Sequence, residues 1–251
     1  MSPIRVDKLW SKLIVRFSNE SVALPDDIKQ KVDTYWQELL ASGKNYKRGE
    51  VFTVTDKKET ESSTEVLVEK TDYAHYLYSQ NVGGVGDFGV RIIHTAALVV
   101  SSDNYAIFGE MGSQTSRAGV FQCCGGGIDN NDLKGDKFDF DHNITCELFE
   151  ELGIDVTDVG RVLEFAAAYL KEGGPTDKMT VVYRVCLSET GKEFLEKYGK
   201  FEEALRQKGE LPEFGKIIML PLEKGAFNQF FQENGERCDE YMQPLFEKVL
   251  E

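Results

Sequence analysis

Apolar and polar positions recur along this chain with two periods, and the switches between them mark its elements. The run Lys-Leu-Ile-Val-Arg-Phe at 12–17 reads as a strand. Pro25-Asp26-Asp27 then opens a helix through Ser42, with Ile28, Val32, Tyr35, Trp36 and Leu39 on one face. Strands are expected near 50–55 and 64–69, separated by the polar turn Asp56–Ser63. Thr71-Asp72 caps a short helix carrying Tyr73, Tyr76 and Leu77. These elements form an N-terminal αβ subdomain, residues 1–89. Further strands are expected at 90–101, 104–109, 119–123, 161–170, 179–187 and 214–222, and helices at 141–152, 189–207 and 223–250. Helices interleaved irregularly with hairpins such as 96–109 predict a mixed α/β (α+β) fold rather than a doubly wound sheet. No internal repeat interrupts the pattern.

Composition narrows the function. Hydrophobic residues at 41% and charged residues at 29% exclude a mainly disordered chain. No apolar run is long enough to cross a bilayer, so no membrane partner is expected. The net charge of −14, with no Lys/Arg cluster, argues against polymeric nucleic acid. It leaves room for a small phosphorylated ligand screened by metal ions and a few local cations. The 5 cysteines are odd in number and form no Cys-x-x-Cys pair, and the first residues lack a signal-peptide layout. A cytoplasmic protein with reduced thiols is expected. Cys123-Cys124 reads as a strand end, since no basic neighbour suggests thiolate chemistry.

Two glycine-rich stretches call for opposite readings. Gly84–Gly89 spells Gly-x-Gly-x-x-Gly, but a dinucleotide fingerprint must follow a strand and open a helix. Here a short aromatic helix precedes it and a strand follows, which makes it a linker. Val120-Phe121-Gln122-Cys123-Cys124-Gly125-Gly126-Gly127, by contrast, is an apolar strand running into three glycines, where backbone can approach a ligand closely. A polar loop then leads to Cys146-Glu147-Leu148-Phe149-Glu150-Glu151-Leu152-Gly153-Ile154. Glu147, Glu150 and Glu151 stand at i, i+3 and i+4, on one side of a helix that Gly153 ends. Like charges at that spacing repel, and the helix C-terminus disfavours anions. A hard divalent cation, which prefers carboxylate oxygens, would relieve both conflicts.

Together these segments resemble the Nudix hydrolases, whose signature runs Gly, five residues, Glu, seven residues, then Arg-Glu-aliphatic-x-Glu-Glu-x-Gly-aliphatic. Glu147, Leu148, Glu150, Glu151, Gly153 and Ile154 match its second half, and Gly125-Gly126 its first. The resemblance implies a Nudix-type mixed sheet sandwiched between helices over residues 90–251. It also implies Mg2+ or Mn2+ held by Glu147, Glu150 and Glu151, with a carbonyl from Gly125 or Gly126. The activity implied is hydrolysis of a diphosphate bond by substitution at phosphorus, with Glu151 catalytic through the metal and Gly126 close to the substrate. Three departures stand out. Cys146 occupies the Arg position, and the loop from Gly126 to Glu147 is about six residues longer than the signature spacing. The upstream Glu falls on Asp132 counted forward, or on Phe138 counted back.

Other residues complete the expectation. Glu172, in Lys171-Glu172-Gly173-Gly174-Pro175, is the first choice of general base because a Gly-Gly-Pro hairpin suits a lid; Glu210 and Glu213 are alternatives. Arg117, entering the glycine turn, can hold a phosphate bidentately. His142 reads as a polar residue of the first helical turn, and Phe227, Phe230, Phe231, Tyr241, Leu245 and Phe246 as a core face. The N-terminal layout, with Trp36 and Thr71-Asp72-Tyr73-x-x-Tyr76-Leu77, resembles the uridine diphosphate glucose pyrophosphatase-like subgroup. That resemblance implies a nucleoside diphosphate sugar such as UDP-glucose, split to a nucleoside monophosphate and a sugar 1-phosphate. The rivals are a non-catalytic Nudix-fold module binding nucleotides or a protein, and a Nudix hydrolase for dinucleoside polyphosphates or coenzyme A. A homodimer is compatible with the sequence, which does not say whether the N-terminal unit packs in cis or across one.

Overall fold

The computed structural model describes residues 3–44 and 46–251. The chain begins with β1 (Arg5–Lys8), β2 (Lys12–Ser21), α1 (Asp26–Ala41), β3 (Glu50–Glu59), β4 (Ser63–Asp72) and α2 (Tyr73–Asn81). Val32 and Trp36 are the buried residues of α1, as the helical period predicts, and they pack against Ala74 of α2. Asp72 caps α2 by accepting the His75 N–H. In β4 the alternate residues Thr64, Val66 and Val68 are buried, the mark of a half-covered strand. The turn expected over 56–63 is shorter, because β3 and β4 stay paired from Glu50↔Asp72 to Glu59↔Thr64. Asp56, Lys58 and Glu59 face solvent from the strand itself, while Lys57 turns to Glu172.

The glycines at 83–89 follow α2 and make one 3-10 turn, Gly86–Phe88, that opens no helix. After them come β5 (Ile93–Val100), β6 (Tyr105–Met111), β7 (Phe121–Gln122), β8 (Leu133–Lys134), β9 (Lys137–Phe138) and α3 (Phe140–Leu152). The remainder is β10 (Val162–Glu172), β11 (Met179–Leu187), α4 (Gly191–Gln207), β12 (Phe214–Pro221), α5 (Lys224–Asn234) and α6 (Met242–Val249). Asp139 caps α3 through the His142 N–H, and Gly153, left-handed at φ 63°, ends it.

The fold is mixed α/β. One seven-stranded sheet runs β1-β10-β11-β5-β6-β12, with β7 paired to β6; β5 and β11 are parallel and the other pairs antiparallel. A five-stranded sheet runs β3-β4-β2-β9-β8. Between the sheets, Val15, Phe52, Val66 and Val68 meet Ala97 and Val99 of β5 and Ile144 and Leu148 of α3. On the other face of the larger sheet, Leu98, Val100 and Phe108 meet Phe227 and Phe231 of α5 and Leu245 and Phe246 of α6. Among the described residues no helix is long and apolar enough to cross a membrane.

Two features depart from the pattern-based expectation. The helix expected over 223–250 is broken into α5, a 3-10 turn at Gly235–Arg237, and α6. Tertiary bonds break it: the Asp239 N–H goes to Phe121 O, and the Asp239 and Glu240 carboxylates turn inward to buried cations. The second is strand exchange across residue 89. β1 pairs with β10 in the larger sheet, while the β8–β9 hairpin joins the N-terminal sheet beside β2. Neither was expected, because β1 offers only Val6 to the core and β8 and β9 are two residues each. Such strands exist only through their partners.

Candidate active site

The three glycines lie along β5, where strand-like pairing fixes their heights. Ala97 N–H donates to Cys124 O (2.7 Å) and Thr95 N–H to Gly126 O (2.9 Å). Gly125, between them, turns its N–H off this pairing to Glu151 Oε2 at 3.3 Å. The approach demands glycine: at φ 149°, a Cβ on Gly125 would stand 2.3 Å from Thr95 O. A Cβ on Gly126 would meet Glu147 Oε1 at 1.9 Å, so the Glu147 carboxylate lies directly against this backbone. Of the two carbonyls offered for a cation, that of Gly126 is committed to Thr95. Gly125's carbonyl makes no such backbone bond among the described residues.

The six extra residues between Gly126 and α3, about one hairpin in length, form the β8–β9 element. Asp132 is buried at its base, accepting from Asp129 N–H and from Asn143 Nδ2 at 3.0 Å, and burial raises its pKa. Asn143 also donates to Gly127 O (3.1 Å) and accepts from Thr95 Oγ1 (2.5 Å). Asp132 and Asn143 therefore lock the glycine turn onto α3. Phe138 packs its ring 4.7 Å from that of Phe52. Neither position of the ambiguous upstream acid is an acid in the cavity.

Glu147 and Glu151 project from α3 toward the glycines, and Glu213, just before β12, joins them. Burial, then the charges of Glu213 and Glu150, raise the Glu147 pKa to about 7. Glu151 is 4% exposed and is pushed far above the usual carboxylate range by burial and by Glu213 and Glu147. The Glu213 carboxyl, open to solvent on one side, is close enough that its charge raises Glu147 and Glu151, and burial raises its own pKa. Carboxyls crowded in this way favour bound protons unless a cation replaces them. The donor set, carboxylate oxygens with an adjacent glycine carbonyl, fits a hard divalent ion. Among the described residues, no three His, Cys, Asp or Glu side chains already close to metal-ligating distances. Glu150 is exposed, and it lines a neighbouring groove together with Glu147, Glu151, Glu210 and Glu213, beside Phe149 and Leu211.

Glu213 also lines an adjoining cavity of about 490 Å3, whose wall includes the three glycines against which Glu147 and Glu151 lie. Gly125, Gly126 and Glu213 line one end, and Arg117, Lys178, His94, Asp239 and Tyr241 the other; Tyr76 of α2 contributes from the N-terminal unit. Arg117 donates through Nη1 to Asp239 and to Gln122 Oε1 (3.1 Å). Burial alone would keep Asp239 protonated, but Lys178 and Arg117 hold its pKa at about 2. Burial beside Lys178 lowers His94 to about 3, so its ring is neutral. Tyr241 accepts the Cys123 N–H at 2.9 Å and is buried, as its reading on the core face predicts.

Glu172 does not reach this cavity. Its carboxylate sits among Arg5 (3.1 Å), Lys57 (2.5 Å) and Arg91 (3.2 Å), at the junction of the two sheets. The Gly-Gly-Pro hairpin is pinned, not lid-like: Thr176 Oγ1 donates to Glu240 Oε1 at 2.5 Å, and buried Lys171 pairs with Glu240. The Glu172 carboxylate is thus engaged by three cations away from the glycine turn. Glu210 and Glu213 are both exposed and both line the groove of Glu147, Glu150 and Glu151, and Glu213 also lines the cavity with Gly125 and Gly126. Cys146 places its sulfur 3.8 Å from His142 Nε2, and burial raises its thiol, as it raises Cys123 to about 12. Of the cationic end the sequence offered Arg117, read as a phosphate-holding residue; Lys178, His94 and Asp239, which the fold brings beside it, carry no local signal.

No family model and no curated protein matches the chain. Among solved structures, a bifunctional NMN adenylyltransferase/ADP ribose pyrophosphatase from Francisella tularensis is 12% identical with a TM-score of 0.40 over 64% of this chain and 41% of that one. The MutT protein from Methanosarcina mazei is 14% identical with a TM-score of 0.36 over 63% and 91%. The NUDIX domain of Shewanella oneidensis NrtR, complexed with ADP ribose, is 12% identical with a TM-score of 0.34 over 64% and 96%. This chain thus spans less than half the length of the Francisella protein.

Proposed function

We propose that this protein is a Nudix-type, Mg2+-dependent hydrolase that cleaves the diphosphate linkage of a small nucleotide derivative. The carrying observation is the gathering of Glu147, Glu151 and Glu213 at the Gly125-Gly126 turn, at the end of a cavity whose other end holds Arg117 and Lys178. Glu147, Glu151 and the Gly125 carbonyl would hold the cation, with Glu150 at the rim. When bound, it supplies charge neutralisation for the diphosphate and Lewis acidity at phosphorus. Gly126, whose missing side chain lets Glu147 lie against the backbone, lines the cavity that would take the phosphates. Arg117 keeps its second Nη free of the Asp239 bond and can orient the same group. Glu213, partly solvated and with a raised pKa, is the carboxylate best suited to take a proton from the attacking water. Attack at phosphorus then breaks the P–O bond of the bridging oxygen, which leaves on the departing phosphoryl half.

The subgroup resemblance favours a nucleoside diphosphate sugar such as UDP-glucose, and Tyr76 brings the N-terminal unit into the cavity wall where such selection would act. Cys146 at the Arg position and the outward Glu150 favour the second reading, a binding module without turnover. The two separate in one experiment, a phosphate-release panel over nucleotide sugars, dinucleotides, coenzyme A and nucleoside triphosphates, with and without Mg2+. Metal-dependent turnover of one class, lost in Glu151→Gln, is expected. A folded protein with no metal-dependent turnover on any substrate would overturn the enzyme reading.

A further inference from the structure

The glutamates also line a second space, a groove of about 630 Å3 between α3, α4 and the loop before β12. Leu211 and Glu213 of that loop line both the groove and the cavity, so the two spaces meet there. The loop is held in place from β6 onward: Gln114 Nε2 donates to Pro212 O and the Gly112 N–H to Glu213 O, both at 2.8 Å. A diphosphate held at the glutamates therefore has room for one organic half in each space.

The lining of the groove restricts its occupant. The helical period of α3 buries Leu148, Glu151 and Leu152 and turns Phe149 outward, where it is 58% exposed. Leu211 is 62% exposed, and Phe201 and Leu205 of α4 continue the apolar wall. Single exposed apolar side chains are ordinary, but two large ones on one concave surface mark a place that a ligand covers. The polar lining is carboxylate, with Glu147, Glu150, Glu151, Glu210 and Glu213 against Lys208, the one cation there among the described residues. Carboxylates accept hydrogen bonds and repel anions, so a second phosphate or an acidic group is disfavoured. An ammonium would face the divalent ion held by Glu147 and Glu151. What fits is a neutral group with C–H surface for the apolar wall and hydroxyls for the acids, which is the chemistry of a sugar.

We infer that this groove is the subsite for the neutral, hydroxyl-bearing half of the substrate, with Phe149 as its apolar platform and Glu210 as a hydroxyl acceptor that turns anionic groups away. Both are specificity-determining residues. This rests on the diphosphate-hydrolase reading and deepens it: the nucleotide half occupies the cavity with Arg117, and the sugar half occupies the groove.

The test is steady-state hydrolysis of UDP-glucose and UDP-glucuronate in Mg2+, with inhibition by UMP as the report on the cavity and Mn2+ binding measured separately. UDP-glucuronate carries the same nucleotide and adds one carboxylate to the sugar. Its KM in the wild-type protein should be at least about tenfold above that of UDP-glucose, and Glu210→Lys should narrow the gap. Phe149→Ala should raise the KM for UDP-glucose at least about tenfold and leave UMP inhibition and Mn2+ binding unchanged. Phe149→Leu, which keeps an apolar wall, should recover most of the loss. Equal handling of the two sugars by the wild-type protein, or wild-type kinetics in Phe149→Ala, would overturn the subsite. A parallel loss of UMP inhibition in Phe149→Ala would also overturn it, by putting the nucleotide in the groove. Metal-dependent turnover of dinucleotides or triphosphates, with none of a nucleotide sugar, would overturn the subsite and spare the hydrolase reading. Absence of metal-dependent turnover on every substrate would overturn the hydrolase reading and the subsite with it.

Discussion

Glu147 is a carboxylate held against backbone, and its chemistry follows from that contact. Its pKa rises from an ordinary 4.5 to about 7 on folding. A group raised in this way stabilises the fold fully below the unfolded value and loses that contribution as pH rises through the folded one. The loss between pH 4.5 and 7 is at most about 3 kcal/mol, less whatever solvent screens. In EDTA, the stability gain of Glu147→Gln over wild type should therefore grow from pH 5 to pH 8, and Mg2+ should shrink it. Urea denaturation across that range checks this; a gap independent of pH would refute it. The neighbouring glycines separate position from fold. Gly126→Ala meets only the end of the Glu147 side chain, so it should leave stability nearly unchanged while lowering metal affinity about 10–100-fold. Gly125→Ala meets the Thr95 carbonyl at a left-handed φ and should destabilise the protein outright.

At the scale of elements, two interruptions build the site. The β8–β9 hairpin carries the extra length of the loop into the N-terminal sheet, where Phe138 fills the space against Phe52. Phe138→Ala should cost about 3–5 kcal/mol in chemical denaturation by leaving a cavity between the sheets. The break between α5 and α6 delivers Asp239, Glu240 and Tyr241 to the cavity and its rear wall. Glu240 neutralises Lys171, which is 0% exposed. Glu240→Ala should cost about 3–5 kcal/mol because a buried charge loses its partner. The double variant Lys171→Met/Glu240→Leu should recover most of that loss. Equal destabilisation by both variants would show that the pair acts through packing alone.

At the scale of the molecule, the two parts of the chain complete each other. The N-terminal sheet covers the face of β5 on which α3 packs, β1 edges the larger sheet, and Tyr76 reaches the cavity. Residues 90–251 expressed alone should expose the surface that meets Val15, Phe52, Val66 and Val68. They should bind a hydrophobic dye and aggregate, and co-expression with residues 1–89 should restore soluble protein. A cooperative thermal transition of 90–251 alone would show that the exchanged strands are dispensable.

The sequence by itself determined what depends on near neighbours. α1 and α3 follow from a 3.6-residue period with Pro25 before one and Gly153 after the other, and the loop reading of Gly84–Gly89 follows from the order of its flanking elements. The Gly125-Gly126 turn and the glutamate helix were legible because close backbone approach and clustered acids leave marks on single residues. What joins distant parts of the chain was left to tertiary structure. β1, β8 and β9 are too short to carry a period, and their partners alone make them strands. Glu172 and Glu213 look alike as loop acids, and only the fold gives one three cations and the other a place beside Glu151. Arg117 and Asp239 meet across 122 residues. That bond replaces helical hydrogen bonds with an ion pair between a buried carboxylate and a half-buried guanidinium, a trade no local pattern records.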